Sequence, residues 1–159
     1  MSRSGCILAL LLCLWVHDGR LGAQAPPKCD VKILAPQVGT TVSTKTQIRG
    51  TATVPPGMFL WVFAHKEGLA NWWPQGGGRV QVKPTGQWVA DGTFGDENEP
   101  AKDAGASFEI TAVIVTAEQS ASLISYVEST RDGHYPGTQL PAPTEAGCAL
   151  HTDVIVVRR

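Results

Sequence analysis

The sequence has no excess of charge of either sign. Thirteen Lys and Arg stand against 14 Asp and Glu, and charged residues make up only 17% of the 159. Binding to nucleic acid draws on a basic footprint that displaces counterions from phosphate, so this balance speaks against a nucleic-acid partner. The glycine run Gly76-Gly77-Gly78 leads into Arg79 without a Gly-Lys-Ser/Thr ending, so it is no phosphate loop. No Ser lies in a nucleophile-elbow setting. No Asn-x-Ser/Thr acceptor occurs, which is compatible with a bacterial source. Past Val16 there is no apolar run near the ~20 residues that a membrane-crossing helix needs. Cysteine is scarce as well, and two of the four, Cys6 and Cys13, fall within the first 16 residues.

Those first residues read as an export signal. Arg3 supplies a short basic start, 7–16 is apolar, and Gly22-Ala23-Gln24-Ala25 supplies small residues for cleavage. Cleavage after Ala25 leaves Pro26 at the new terminus, so cleavage after Ala23 competes with it. The reading is a signal peptide over 1–25 and one domain over 26–159, secreted or periplasmic, with no membrane span in the mature chain. Without Arg3, Arg20 and Asp18 the mature part carries 11 basic and 13 acidic residues, a net charge of −2. Cys29 and Cys148 remain, one near each end. Two cysteines in an exported chain are expected to pair. The loop they close exceeds 100 residues, for which chain entropy suggests roughly 4–5 kcal/mol of stabilisation.

What the chain has instead is tryptophan, five in all, two of them adjacent in Trp72-Trp73-Pro74-Gln75. Successive residues of an extended segment point to opposite faces, so both indoles cannot enter one core. Pro74 and the glycines that follow then take the chain out of regular structure. An aromatic surface that is solvated or half covered marks a binding place. The candidate ligand contacts are Trp72, Trp73, Gln75 and Tyr135, with Asn71 and Tyr126 near them in type; the plainer alternative packs Trp73 over a sheet and Trp72 over the glycine loop. Trp61 and Trp88 lie inside strand patterns and read as core.

The remainder is a series of short strands at 30–34, 46–53, 58–65, 79–83, 87–94, 107–115 and 149–157, separated by Gly and Pro turns. In 107–115 the residues Phe108, Ile110, Ala112 and Ile114 share one face. Thr116-Ala117-Glu118-Gln119 fits a capping box, opening a helix whose stripe is Ala117, Ala121, Ile124 and Val127 and whose stop is Gly133. The span 135–147 reads as a connector. The fold class is all-β: an Ig-like antiparallel β-sandwich of about seven strands, with one helix before the last strand. Trp61 takes the place of the buried sandwich Trp, and parallel first and last strands bring Cys29 and Cys148 together.

Several signals also occur in a fixed order: Pro36, Gly39 and Val42; Ile48-Arg49-Gly50; Leu60-Trp61-Val62; Trp73-Pro74-Gln75; Gly86-Gln87-Trp88; Phe94-Gly95; Gly105-Ala106-Ser107-Phe108-Glu109-Ile110; and Leu140-Pro141-Ala142-Pro143 before a Val-rich strand ending in Arg158. This order resembles Ig-like β-sandwich modules of exported or membrane-attached bacterial and archaeal proteins. The resemblance covers most of the mature chain and implies the fold and an extracytoplasmic accessory role, with no particular ligand. Trp72 and the Cys pair stand outside the pattern.

Other chemistry is thinly supported. His65, His134 and His151 fit no compact metal spacing, and no cofactor is implied. Asp91, Asp96, Glu97, Asn98, Glu99 and Asp103 form an acidic stretch that lacks the ligand alternation of a calcium loop. The leading expectation is a monomeric, non-catalytic binding module for a glycan or a protein surface. The alternatives are an assembly domain of the cell envelope that pairs an edge strand such as 79–83, and a small hydrolase using Asp91 or Asp96.

Overall fold

A computed structural model describes residues 29–130, 135–141 and 152–158. In chain order they form β1 (Asp30–Ala35), β2 (Thr41–Val42), β3 (Lys45–Thr53), β4 (Phe59–Lys66), β5 (Trp73–Pro74), β6 (Gln87–Thr93), β7 (Ser107–Val115), α1 (Ala117–Ser129) and β8 (Thr152–Arg158). Two sheets result. One is antiparallel with strand order β1-β3-β6, and the other is mixed with order β2-β8-β7-β4-β5. The described chain is therefore mostly β, with one α-helix.

Burial alternates along β3 and β6, as it must where one face of a sheet meets water and the other a core. Val31, Ile48, Ala52, Trp88 and Ala90 of the first sheet meet Leu60, Val62, Ala64, Ile110 and Val156 of the second in one apolar cluster. The face of β7 expected from sequence, Phe108, Ile110, Ala112 and Ile114, lies in this cluster. β4 and β7 are buried on their other face too. There Trp61, Phe63, Val113 and Val115 pack under α1 against Leu123. Trp61 is thus fully buried, but on the helix side. The indole between the sheets is that of Trp88. Both parities of β4 are apolar, so alternation alone carries no signal for which side faces the other sheet.

Two further expectations are corrected. The parallel neighbour of β8 is β2, through Thr41↔Val157 and Val42↔Arg158, whereas β1 pairs with β3. The turn that closes with Thr40 N–H on the Gln37 carbonyl, with Gly39 at φ +75°, hands the chain from one sheet to the other. Residues 79–83 do not form a strand. Val80 bridges Leu60 in one sheet and Val82 bridges Trp88 in the other, so this segment closes the side of the molecule instead of extending an edge. The turn at Pro84-Thr85-Gly86 is present, with Gly86 N–H on the Lys83 carbonyl at 2.8 Å.

The helix begins as its sequence dictates. Thr116 Oγ1 accepts from Gln119 N–H at 3.2 Å, and Gln119 Oε1 accepts from Thr116 N–H at 3.0 Å. Its inward stripe is Ser120, Leu123, Ile124 and Val127, while Ala117 and Ala121 are exposed. A Ser displaces the Ala residues from the interface because its hydroxyl has partners there. Ser120 Oγ accepts from Trp61 Nε1 at 2.9 Å and from Arg79 Nε at 2.7 Å. Ser120→Ala leaves a buried indole N–H without an acceptor, so a loss of about 1–3 kcal/mol is expected in urea unfolding at constant m-value. The helix closes at Thr130, and Gly133 lies outside the described residues.

Cys29 packs against the inter-sheet core. Cys148 lies outside the described residues, as do 1–28 with both cleavage positions. Among the described residues no helix is long and apolar enough to cross a membrane.

Candidate functional site

β5 is only two residues long, and it places Trp73 and Pro74 opposite Ala64 and Phe63 of β4 at the edge of the second sheet. The chain after the helix returns to this edge. Trp72 and Thr138 exchange both backbone hydrogen bonds at 2.8 Å, so residues 135–139 lie along the aromatic segment as an added extended strap. Asn71 fixes the strap twice: its Nδ2 donates to the Pro136 carbonyl at 2.8 Å, and its Oδ1 accepts from Gln139 Nε2 at 3.1 Å. Tyr126 Oη on α1 accepts from Gly137 N–H at 3.0 Å. Burial raises the Tyr126 phenol above its ordinary value of 10.0, against the opposing Gly137 hydrogen bond. It remains a neutral hydroxyl at physiological pH.

The two indoles separate as the extended backbone demands. Trp73 stands opposite Ala64, an inter-sheet residue, and donates its Nε1–H to the Tyr135 carbonyl at 2.9 Å. Gly137 lies flat against it at φ +80°. A Cβ there would come within 2.5 Å of Asn71 Cβ and 3.1 Å of Trp73 Cε2, so only glycine fits. Trp72 packs instead on the helix side. Its ring stacks on His65 with centroids 4.7 Å apart and planes at 26°, while His65 Nδ1 lies 3.0 Å from the Asn71 carbonyl. Both indoles are half-buried. The exposed aromatic at this edge is Tyr135, with 57% of its surface open.

Gln75 is corrected. The sequence places it among the ligand contacts, yet it is only 5% exposed. Its Oε1 accepts from Thr93 N–H at 2.7 Å, and its Nε2 donates to the Trp73 carbonyl at 2.8 Å. Its backbone N–H donates to the Val62 carbonyl at 2.8 Å. Gln75 therefore ties β6 of one sheet to β4 and β5 of the other, and both ends of its amide are engaged inside the molecule. The structure thus gathers Trp72, Trp73 and Tyr135 at one edge, with Gln75 beneath them as a clamp.

Apart from Asp91, the carboxylates of the acidic stretch lie beside lysines. Glu97 pairs with Lys45 at 2.8 Å, Asp103 with Lys66 at 2.6 Å, and Lys102 sits 3.6 Å from Glu99 and 4.0 Å from Asp96. The Lys66 hydrogen bond, with help from the Asp96 N–H and against burial, holds the Asp103 carboxyl below the ordinary 3.8. The hydrogen bond from Lys45 lowers Glu97 in the same way. Among the described residues no group of three or more His, Cys, Asp or Glu is arranged to hold a metal ion. His134 and His151 lie outside those residues.

Sequence reasoning missed the strap. Thr138 and Gln139 carry no periodic pattern, and the span 135–147 reads as a connector because it is rich in Pro and small residues. The one available signal is Tyr135-Pro136-Gly137, a turn whose glycine is demanded by the indole beside it. No protein family's sequence profile matches the chain, and no curated protein matches it.

Proposed function

We propose that this is an exported, non-catalytic binding module whose ligand, a glycan or a protein surface, is met at the edge formed by Tyr135, Trp73 and Trp72. One observation carries the reading: an exposed tyrosine beside two half-buried tryptophans, on a segment held by five hydrogen bonds among residues 71–73 and 135–139. Aromatic surface held rigid before binding loses little entropy when a sugar ring or an apolar side chain stacks on it. The strand order β1-β3-β6 facing β2-β8-β7-β4-β5, with a short strand parallel to the last, supports an Ig-like β-sandwich among the accessory modules the sequence resembles. A Cys29–Cys148 crosslink, removal of residues 1–25, a secreted or periplasmic site and a monomeric state belong to the same proposal. Assembly through segment 79–83 is less favoured, because the Val80 and Lys83 N–H groups are used inside the molecule.

Tyr135→Ala tests the site without touching the fold, since Trp73 uses only the Tyr135 backbone carbonyl. In fluorescence titrations with polysaccharides, cell-wall fragments and envelope proteins, a saturable response is expected. Its Kd should rise about ten-fold in the variant, the size of one lost aromatic contact. Unchanged affinity in Tyr135→Ala for every ligand that binds would remove this edge as the site.

A further inference from the structure

Arg79 lines an open cleft of about 230 Å³ together with Val54, Met58, Phe59, Leu60, Gln81 and Val82. This cleft is built from residues that take no part in the aromatic edge. Two contacts hold the guanidinium. Its carbon lies 3.8 Å from the centroid of the Phe59 ring, and its Nε donates to Ser120 Oγ at 2.7 Å. Ser120 is completely buried and accepts from Trp61 Nε1 as well, so the anchor itself cannot turn. With Nε occupied, the two terminal nitrogens are the donors left, a fork suited to a planar anion. Lys32, Lys45, Lys66 and Lys102 have carboxylates within reach; among the described residues Arg79, like Arg49 and Lys83, has none. A cation fixed by a buried hydroxyl and an aromatic face, with no carboxylate beside it, in a recess of mixed lining that includes Val54, Met58, Val82 and Gln81, is complementary to an anion that carries a short apolar tail.

We propose that this cleft binds a short apolar monocarboxylic acid, its carboxylate on the terminal nitrogens of Arg79 and its tail against Met58, Val54 and Val82. The size follows from the volume: at about 30 Å³ for each water-sized unit, the cleft takes roughly eight non-hydrogen atoms, which is a six-carbon acid. That is smaller than the ~300 Å³ at which drug-sized ligands are enclosed, so the ligand is a fragment-sized acid.

The test is an NMR titration of the isotope-labelled protein with hexanoate, reading the Arg79 Nε–H and Trp61 Nε1–H resonances, which both donate to Ser120. Saturable shifts of both are expected, with a Kd of about 1 mM, typical of so few atoms. Hexanol, which lacks the charge, and acetate, which lacks the tail, are each expected to bind at least about ten-fold more weakly. Arg79 is exposed, so Arg79→Gln should keep the wild-type spectrum elsewhere and lose roughly ten-fold or more in hexanoate affinity. Arg79→Lys, which keeps the charge but not the fork, should lose about three-fold or more. Equal affinity for hexanoate and hexanol, or hexanoate binding that survives Arg79→Gln, would overturn the proposal. So would a peptide ending in a free Leu carboxylate that binds about ten-fold tighter than hexanoate while its amide does not, since the occupant would then be a chain terminus.

Discussion

Gly50→Ala is expected to lose about 3 kcal/mol or more of folding stability, a large share of the whole for a domain of this size. The backbone of Gly50 needs no glycine for its own conformation, since its φ is not positive. The space around it does. A methyl group there would lie 2.0 Å from the Lys32 carbonyl oxygen and 2.3 Å from Trp88 Cζ2. Neither neighbour can retreat. The Lys32 carbonyl belongs to β1, which is held in register against β3, and Trp88 is 1% exposed in the gap between the two sheets. Among the described residues the buried Trp88 Nε1–H has no acceptor, so their packing places the indole by shape and not by a hydrogen bond. Relief would require parting β1 from β3 or expelling Trp88 from the core. Urea unfolding followed by far-UV circular dichroism reads the effect, with Gly77→Ala as the comparison. Gly77 has φ +70°, and a methyl group added there would meet nothing within 4 Å, so it reports backbone strain alone and should cost about 1 kcal/mol. If Gly50→Ala proved no worse than Gly77→Ala, the packing of Trp88 across β3 would not be as described.

Gly50 also shows where the sequence could be read and where it could not. Ile48-Arg49-Gly50 sits inside a strand whose β-branched residues and alternation are plain, and β1, β3, β4, β6 and β7 lie within a residue or two of their expected positions. The capping box likewise needs only two residues of a single helical turn, Thr116 and Gln119, and both of its hydrogen bonds are present. What sequence could not convey is pairing at a distance. Trp61 and Trp88 are equally apolar on equally convincing strands, and only the docking of α1 decides that one faces the helix and the other the opposite sheet. The Ala117–Ala121 stripe failed for the same reason: Ser120 becomes interior through Trp61 and Arg79, which are 59 and 41 residues away. At the candidate site, the two tryptophans could be placed on opposite faces from the extended geometry of 72–73. Gln75 could not be recognised as a clamp, because its acceptor role depends on Thr93 in the other sheet.

Asp103→Ala is expected to cost about 3 kcal/mol, the low end for removing one partner of a buried ion pair, because Lys66 keeps a third of its side chain in water and recovers some solvation. The carboxylate is 6% exposed and does three things at once. It accepts from Lys66 Nζ at 2.6 Å and from Asp96 N–H at 2.8 Å, and it fills the space beside Gly95, whose φ is +86°. Together they hold down the loop between β6 and β7, whose far end is tied by Gly105 N–H to the Arg158 carbonyl. Asp103→Asn keeps an acceptor for the Asp96 N–H but loses the charge, so it should fall between alanine and wild type. The pH dependence separates charge from shape. A carboxyl whose folded-state value is depressed contributes its stability above its unfolded value and loses it as pH falls through the folded one. Asp103 therefore stabilises fully at neutral pH, and its share begins to fade as the solution approaches the ordinary carboxylate value of 3.8, disappearing below the depressed value set by Lys66. Urea midpoints measured from neutral pH downward should show wild type and Asp103→Asn far apart at neutrality and converging in acid. Curves that stay parallel down to about pH 2 would mean that the contribution of Asp103 is packing, with the Lys66 pair adding nothing.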